Sequence, residues 1–307
     1  MKSEFYSKGK LLLTAEYVVL DGAKALALPT KKGQSLHAEK NDSGILNWSS
    51  FNCHDQIWYK TQLKTSLLFK SSPPIGNSTY DETLFKILWE ALQMNPNFLN
   101  KNSGYQISTY LEFDRLWGLG TSSTLINNIA NWAKVNPFKL LNISFGGSGY
   151  DIAAAEATTP IFYTRTSFEN PTIVKAPTFN PSFKERLFFI YLEEKKNSKE
   201  AIKNYRSKPK KTLNQTISKI NKLTEQIAIC DDFVEFENLL NEHERIIASL
   251  LNCSTIKEER FKDFTGSIKS LGAWGGDFIL ATGTVSEMNY FLTKGLSTII
   301  SYNDMVF

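Results

Sequence analysis

Residues 104–133 read GYQISTYLEFDRLWGLGTSSTLINNIANWA: an alternating run, a glycine-rich loop and a helix-like apolar run in direct succession. Two glycines followed by three hydroxyls, Gly118-Leu119-Gly120-Thr121-Ser122-Ser123, cost backbone entropy that a plain connecting loop would avoid. A strand–loop–helix junction of this kind points helix N-terminal amides and the positive end of the macrodipole at whatever the loop encloses. The stretch therefore predicts a loop that wraps an anion.

The rest of the chain narrows the setting. Its 307 residues are 42% hydrophobic and 21% charged, the balance of a globular protein with one large domain or two lobes around a cleft. A net charge of +4, with one local cluster at KPKK (208–211), gives no support to nucleic acid binding. Cys53, Cys230 and Cys253 form no CxxC pair, and His37, His54 and His243 lie far apart. Reduced thiols and the absence of a His/Cys metal site are expected. The first residues, MKSEFYSKGKLLLTAEY, carry charges where a signal peptide needs an apolar core, and no apolar run has membrane-spanning length. A cytoplasmic protein with a small-molecule partner is the expectation, with the oligomeric state open.

Periodicity predicts strands over 9–20 and 24–30, joined by a turn at Asp21-Gly22, then over 46–50, 56–63 and 104–113. Leu84, Leu88 and Leu92 repeat at helical spacing in 81–93. In the second half 186–194 reads as a strand, and 211–229 and 231–251 as amphipathic helices. Phe233, Phe236, Leu240, His243, Ile247 and Leu250 share a face of the latter, so His243 reads as a packing histidine. A second glycine cluster, KSLGAWGGDFILATG (269–283), leads into an apolar strand.

Four of these segments, in this order, resemble the motifs of the GHMP kinases: GKLLLTAEYVVLDGAKALALP (9–29), GLGTSST (118–124), GGSGYDIAAAEATTPIFY (146–163) and SLGAWGGDFILA (270–281). GKL…EY, GSGYD and LGAWGGD lean toward the phosphomevalonate and mevalonate kinase branch. The resemblance implies an α+β, two-lobed fold with a central cleft. A lobe of residues 1–170 would carry the phosphate loop and the catalytic aspartate, and 171–307 the third glycine motif, with a soft boundary. It implies ATP and Mg²⁺ as cofactors and an anionic acceptor such as mevalonate or phosphomevalonate.

By the same resemblance, Gly118, Leu119, Gly120, Thr121, Ser122 and Ser123 bind the triphosphate, and Ser122 or Ser123 reaches Mg²⁺. Gly272, Ala273, Gly275 and Gly276 bring the third motif close to nucleotide and acceptor. Asp151 is the general base, and Lys10 stabilises the transferred group and holds Asp151 ionised, since a nearby cation lowers a carboxylate pKa. Each also has a purely local reading: a Ser/Thr helix cap, a tight turn, a cap on the helix after Tyr150, a strand-edge lysine. Glu16 is either a structural carboxylate or a contact on the nucleotide side. Glu16, Ser148, Lys195, Lys196, Ser198 and Arg206 are candidate substrate contacts, the last four in a charge run that also reads as a solvated helix face.

The chain departs from the pattern in three places. Ala15 replaces a glycine before Glu16, Trp117 and Trp274 place indoles beside the glycine motifs, and Arg115–Tyr150 contains no Asp or Glu. A magnesium-binding glutamate usual ahead of the aspartate is thus missing; Asp151, Glu16 or Asp277 would have to assist, or hydroxyl, phosphates and water suffice. These departures motivate a second reading, a catalytically silent ligand- or partner-binding protein of the same fold. An ATP-dependent decarboxylase is the third.

Overall fold

The computed structural model describes residues 2–176, 179–194, 198–207, 212–272, 274 and 276–307. The expected strand, loop and helix of 104–133 are all present, set in two sheets. In chain order the elements are β1 (Lys2–Leu12), β2 (Ala25–Asn41), β3 (Ile45–Phe51), β4 (Ile57–Lys64), α1 (Thr79–Met94), β5 (Gly104–Leu111), α2 (Thr121–Ala133), α3 (Pro137–Ser144), α4 (Tyr150–Glu156), β6 (Ile161–Thr164) and β7 (Thr172–Lys175). There follow β8 (Leu187–Tyr191), α5 (Ser198–Ser207), α6 (Leu213–Ile229), α7 (Phe233–Leu251), α8 (Ile256–Arg260), β9 (Ile268–Ser270), β10 (Phe278–Thr282), α9 (Asn289–Thr293), β11 (Ile299–Ser301) and α10 (Tyr302–Met305).

The first sheet runs β4-β3-β5-β2-β6-β7, with β1 added along β2; β3 and β5 are its parallel pair. It extends to Lys175, and the second sheet, β11-β8-β10-β9, is antiparallel throughout. Strand β8 (LFFIY) is buried along its whole length, as an uninterrupted apolar run requires when both faces are covered. Leu187, Phe189 and Tyr191 enter a core shared with α6, α7 and the β1–β2 hairpin. Phe188 and Ile190 pack on Phe261, Phe264 and Phe291 behind the sheet. A third core holds α1 and α2 against the first sheet through Leu84, Leu88, Ile126, Ile129, Trp48 and Ile107. Among the described residues no helix is long and apolar enough to cross a membrane.

The first expected strand, 9–20, is displaced: it begins at Lys2, and its second half is not strand. β1 ends at Leu12, and residues 18–21 form a short 3₁₀ turn. Tertiary contacts override β propensity there. Leu26 N–H donates to Thr14 Oγ1, and Ala15 N–H donates to His243 Nε2, both at 2.9 Å. His243 is buried on the apolar face of α7, as its spacing predicts.

Candidate functional site

The glycine loop follows β5 and ends on α2, whose N-cap, Gly120, is left-handed at φ 98° and offers no side-chain cap. Helix first-turn amides have no intrahelical acceptor, so those of Thr121–Ser123 are placed to receive an anion. Both loop glycines are required. A Cβ on Gly118 (φ 66°) would lie 2.2 Å from Asp277 Oδ2, and one on Gly120 would lie 2.7 Å from Ser123 Oγ. The buried Ser123 hydroxyl donates to Gly120 C=O at 2.9 Å, while Ser122 is exposed.

Lys10 clamps this loop from β1. Its backbone N–H donates to Leu119 C=O at 3.0 Å and its Nζ to Gly118 C=O at 2.8 Å. The pairing of β1 with β2 shifts register between Lys8 and Lys10, and such a bulge re-aims the side chain that follows it. The Lys10 ammonium lies 5.6 Å from the Tyr150 ring. Burial by itself would lower its pKa, but Tyr150, Asp151 and Asp277 together hold it above the usual lysine value.

Asp151 opens α4 behind Lys10. Lys10 does lower the Asp151 pKa, as the sequence predicts, but burial outweighs it. Burial raises the carboxyl above its ordinary value, and Lys10, backbone amides and the Ser123 hydroxyl only partly offset this. A carboxylate moved in that direction is better matched to accepting a proton near neutrality.

Two cavities flank the loop. The smaller, about 90 Å³, is lined by Lys10, Gly118, Ser148, Tyr150 and Asp277 among mostly apolar walls that include Tyr17, Trp117, Leu271 and Gly272. The larger, about 400 Å³, opens beside Thr121 and Ser122 and is walled by Trp48, Trp58, Tyr59 and Tyr80, with Arg115 stacked 4.3 Å from the Trp58 ring. The buried Trp58 Nε1–H has no hydrogen-bond partner among the described residues. Trp117 fills the wall between loop and second sheet, edge-on to Phe278 at 5.6 Å.

The structure thus gathers Lys10, Gly118, Leu119, Gly120, Thr121, Ser122, Ser123, Ser148, Asp151 and Gly272 in one place. Gly276 is buried next to Asp277, whereas Ala273, Gly275, Lys195 and Lys196 lie outside the described residues. Ser198 begins α5, which contributes Ala201 and Ile202 to the small cavity; Arg206 points to solvent. Glu16 has the surroundings of a structural carboxylate: it is fully buried and ion-paired with Lys269. In the sequence Asp277 reads only as a metal helper. Its position over Gly118 depends on a contact between residues 159 apart in the chain, which no local pattern reveals.

A scan against protein-family profiles finds no match, and no curated protein matches by sequence. Solved structures do match over nearly the whole chain. The Methanococcus jannaschii mevalonate kinase is 14% identical with a TM-score of 0.68, covering 98% of this chain and 97% of that one. A Streptococcus pneumoniae phosphomevalonate kinase in complex with phosphomevalonate and AMPPNP is 14% identical with a TM-score of 0.67, covering 98% and 99%. A Lactococcus lactis galactokinase complexed with galactose is 13% identical with a TM-score of 0.67, covering 94% and 87%. The chain has the GHMP kinase fold, and at these identities the likeness is one of fold.

Proposed function

We propose that this protein is a small-molecule kinase that transfers the terminal phosphoryl group of ATP to a hydroxyl of a small acceptor. One observation carries the reading: the glycine loop stands between two cavities of different character, and Lys10 grips the loop from the side of the smaller one. Phosphoryl transfer is almost wholly positioning and charge stabilisation, and this arrangement supplies both. The aromatic cavity takes the nucleotide base against its Trp and Tyr walls. The α2 amides and Lys10 take the phosphates. The small cavity takes the acceptor, and Asp151 accepts the hydroxyl proton as the oxygen attacks.

Hard oxygen donors suit Mg²⁺. Ser122 or Ser123, Asp151 and Asp277 surround the glycine cradle, in which no side chain has room, so these residues would hold the ion. When bound, Mg²⁺ would neutralise charge on the phosphates. Asp277 then answers for the acidic residue missing from Arg115–Tyr150.

Among the described lining residues of the small cavity Lys10 is the one cation, and its neighbours are carboxylates. That balance favours an acceptor with an apolar body and little charge, hence mevalonate over phosphomevalonate. ATP consumption across mevalonate, 5-phosphomevalonate, homoserine and galactose tests the reading, with nucleotide binding measured calorimetrically alongside. Nucleotide binding without turnover of any acceptor would instead support a silent ligand-binding protein.

A further inference from the structure

The most highly charged part of the interior lies behind the small cavity. Glu16, His243, Glu244 and Lys269 have side-chain exposures of 0%, 0%, 3% and 0%. They come from three elements: the turn after β1, helix α7 and strand β9. The Lys269 ammonium pairs with Glu16 Oε1 and lies 3.3 Å from Glu244 Oε2. Glu244 also accepts from Ser270, from N–H at 3.1 Å and from Oγ–H at 2.6 Å. His243 Nε2 accepts the Ala15 N–H, so its proton sits on Nδ1, which has no partner among the described residues; nor does Glu16 Oε2.

Buried ion pairs are weak evidence for stability, because well-packed apolar side chains do as well or better. The local geometry shows what this one fixes. Glu16 lies between Ala15 (φ 67°) and Tyr17 (φ 64°), two left-handed residues with a Cβ, a conformation that persists only where surroundings impose it. That turn delivers Tyr17 to the small cavity. Lys269 stands just before Leu271 and Gly272, which form another wall of the same cavity, and its ammonium is 5.8 Å from the Trp274 ring.

We infer that Glu16 and Lys269 are positioning residues for the acceptor: their ion pair ties the Tyr17 turn to β9, which leads into Leu271 and Gly272, and so fixes the shape of the small cavity. The inference rests on the assignment of that cavity to the acceptor. Burial raises the Glu16 carboxyl to about 7; Lys269 pulls it down and Glu244 pushes it up. His243, from α7, is held well below its usual value by burial and by Lys269, so it stays neutral, and Tyr17 and Tyr150 also face Glu16. The tie is therefore intact above neutrality and released below it.

Glu16→Gln tests this and leaves Lys269 and Glu244 as a one-to-one pair, so no buried charge is stranded. With mevalonate and ATP as probes, the wild-type KM for mevalonate should rise by about 10- to 100-fold as pH falls through about 7, with the KM for ATP unmoved. Glu16→Gln should show the raised mevalonate KM at every pH. Hydrogen exchange, corrected for the intrinsic pH dependence, gives a readout that needs no turnover. Amides 15–19 and 268–272 should be protected in the wild type at pH 8 and poorly protected in Glu16→Gln at the same pH. Equal protection in the two proteins at pH 8 would overturn the inference. Altered protection with no acceptor turned over would keep the tie and remove the kinase assignment instead.

Discussion

Gly118→Ala puts the packing of loop against third motif to the test. The left-handed backbone at φ 66° costs a residue with a Cβ about 1–2 kcal/mol. The new methyl would also stand 2.2 Å from Asp277 Oδ2, 2.3 Å from Cγ and 2.9 Å from Cβ. Because Cβ itself is that close, turning the carboxylate away does not clear the overlap. Asp277 must leave its rotamer or its backbone must give, for about a further 0.5–1.5 kcal/mol. The expected loss is about 2–3 kcal/mol, read as a lower urea midpoint at unchanged slope. In an Asp277→Gly background the overlap vanishes and only the backbone cost remains, so a double-mutant cycle should return about 1 kcal/mol of coupling. If Gly118→Ala costs the same in both backgrounds, the contact between loop and third motif does not exist as described.

Asp151→Asn should lower kcat by about 10²–10⁴-fold with mevalonate, through loss of the base. With a phosphomonoester acceptor, whose second pKa of about 6 leaves it largely dianionic, the loss should be milder; unchanged turnover of the true substrate would remove Asp151 from the mechanism. Trp58→Leu should weaken ATP binding about three- to tenfold by calorimetry, the worth of one aromatic contact, while mevalonate binding holds. Glu16 also sets a pH dependence of stability. The folded chain keeps its proton up to about 7 and the unfolded chain releases it near 4.5. That contribution is therefore full below 4.5 and lost as pH rises to 7, about 3 kcal/mol in all. Glu16→Gln should abolish this slope in urea titrations between pH 4.5 and 8; a parallel slope would contradict the burial argument.

Whatever rests on local periodicity and backbone freedom is legible in the sequence. The junction of β5, glycine loop and α2, the helices α1, α6 and α7, and the doubly buried β8 follow from spacing alone. So does His243 as a packing residue. The ordered motifs went further and pointed to the fold that the solved structures share. Tertiary structure decided what local pattern does not encode: which charged groups meet, and which are taken from water. Lys10 reaches the loop across 108 residues through a bulge, Asp277 closes over Gly118, and Lys269 claims Glu16 from 253 residues away. Residues 13–17 show the same division. Their apolar, β-prone sequence predicts a continuing strand, but the His243 and Lys269 contacts hold them in a left-handed turn. Burial likewise moves the Asp151 carboxyl up where a neighbouring lysine alone would move it down, because desolvation depends on everything packed around the group.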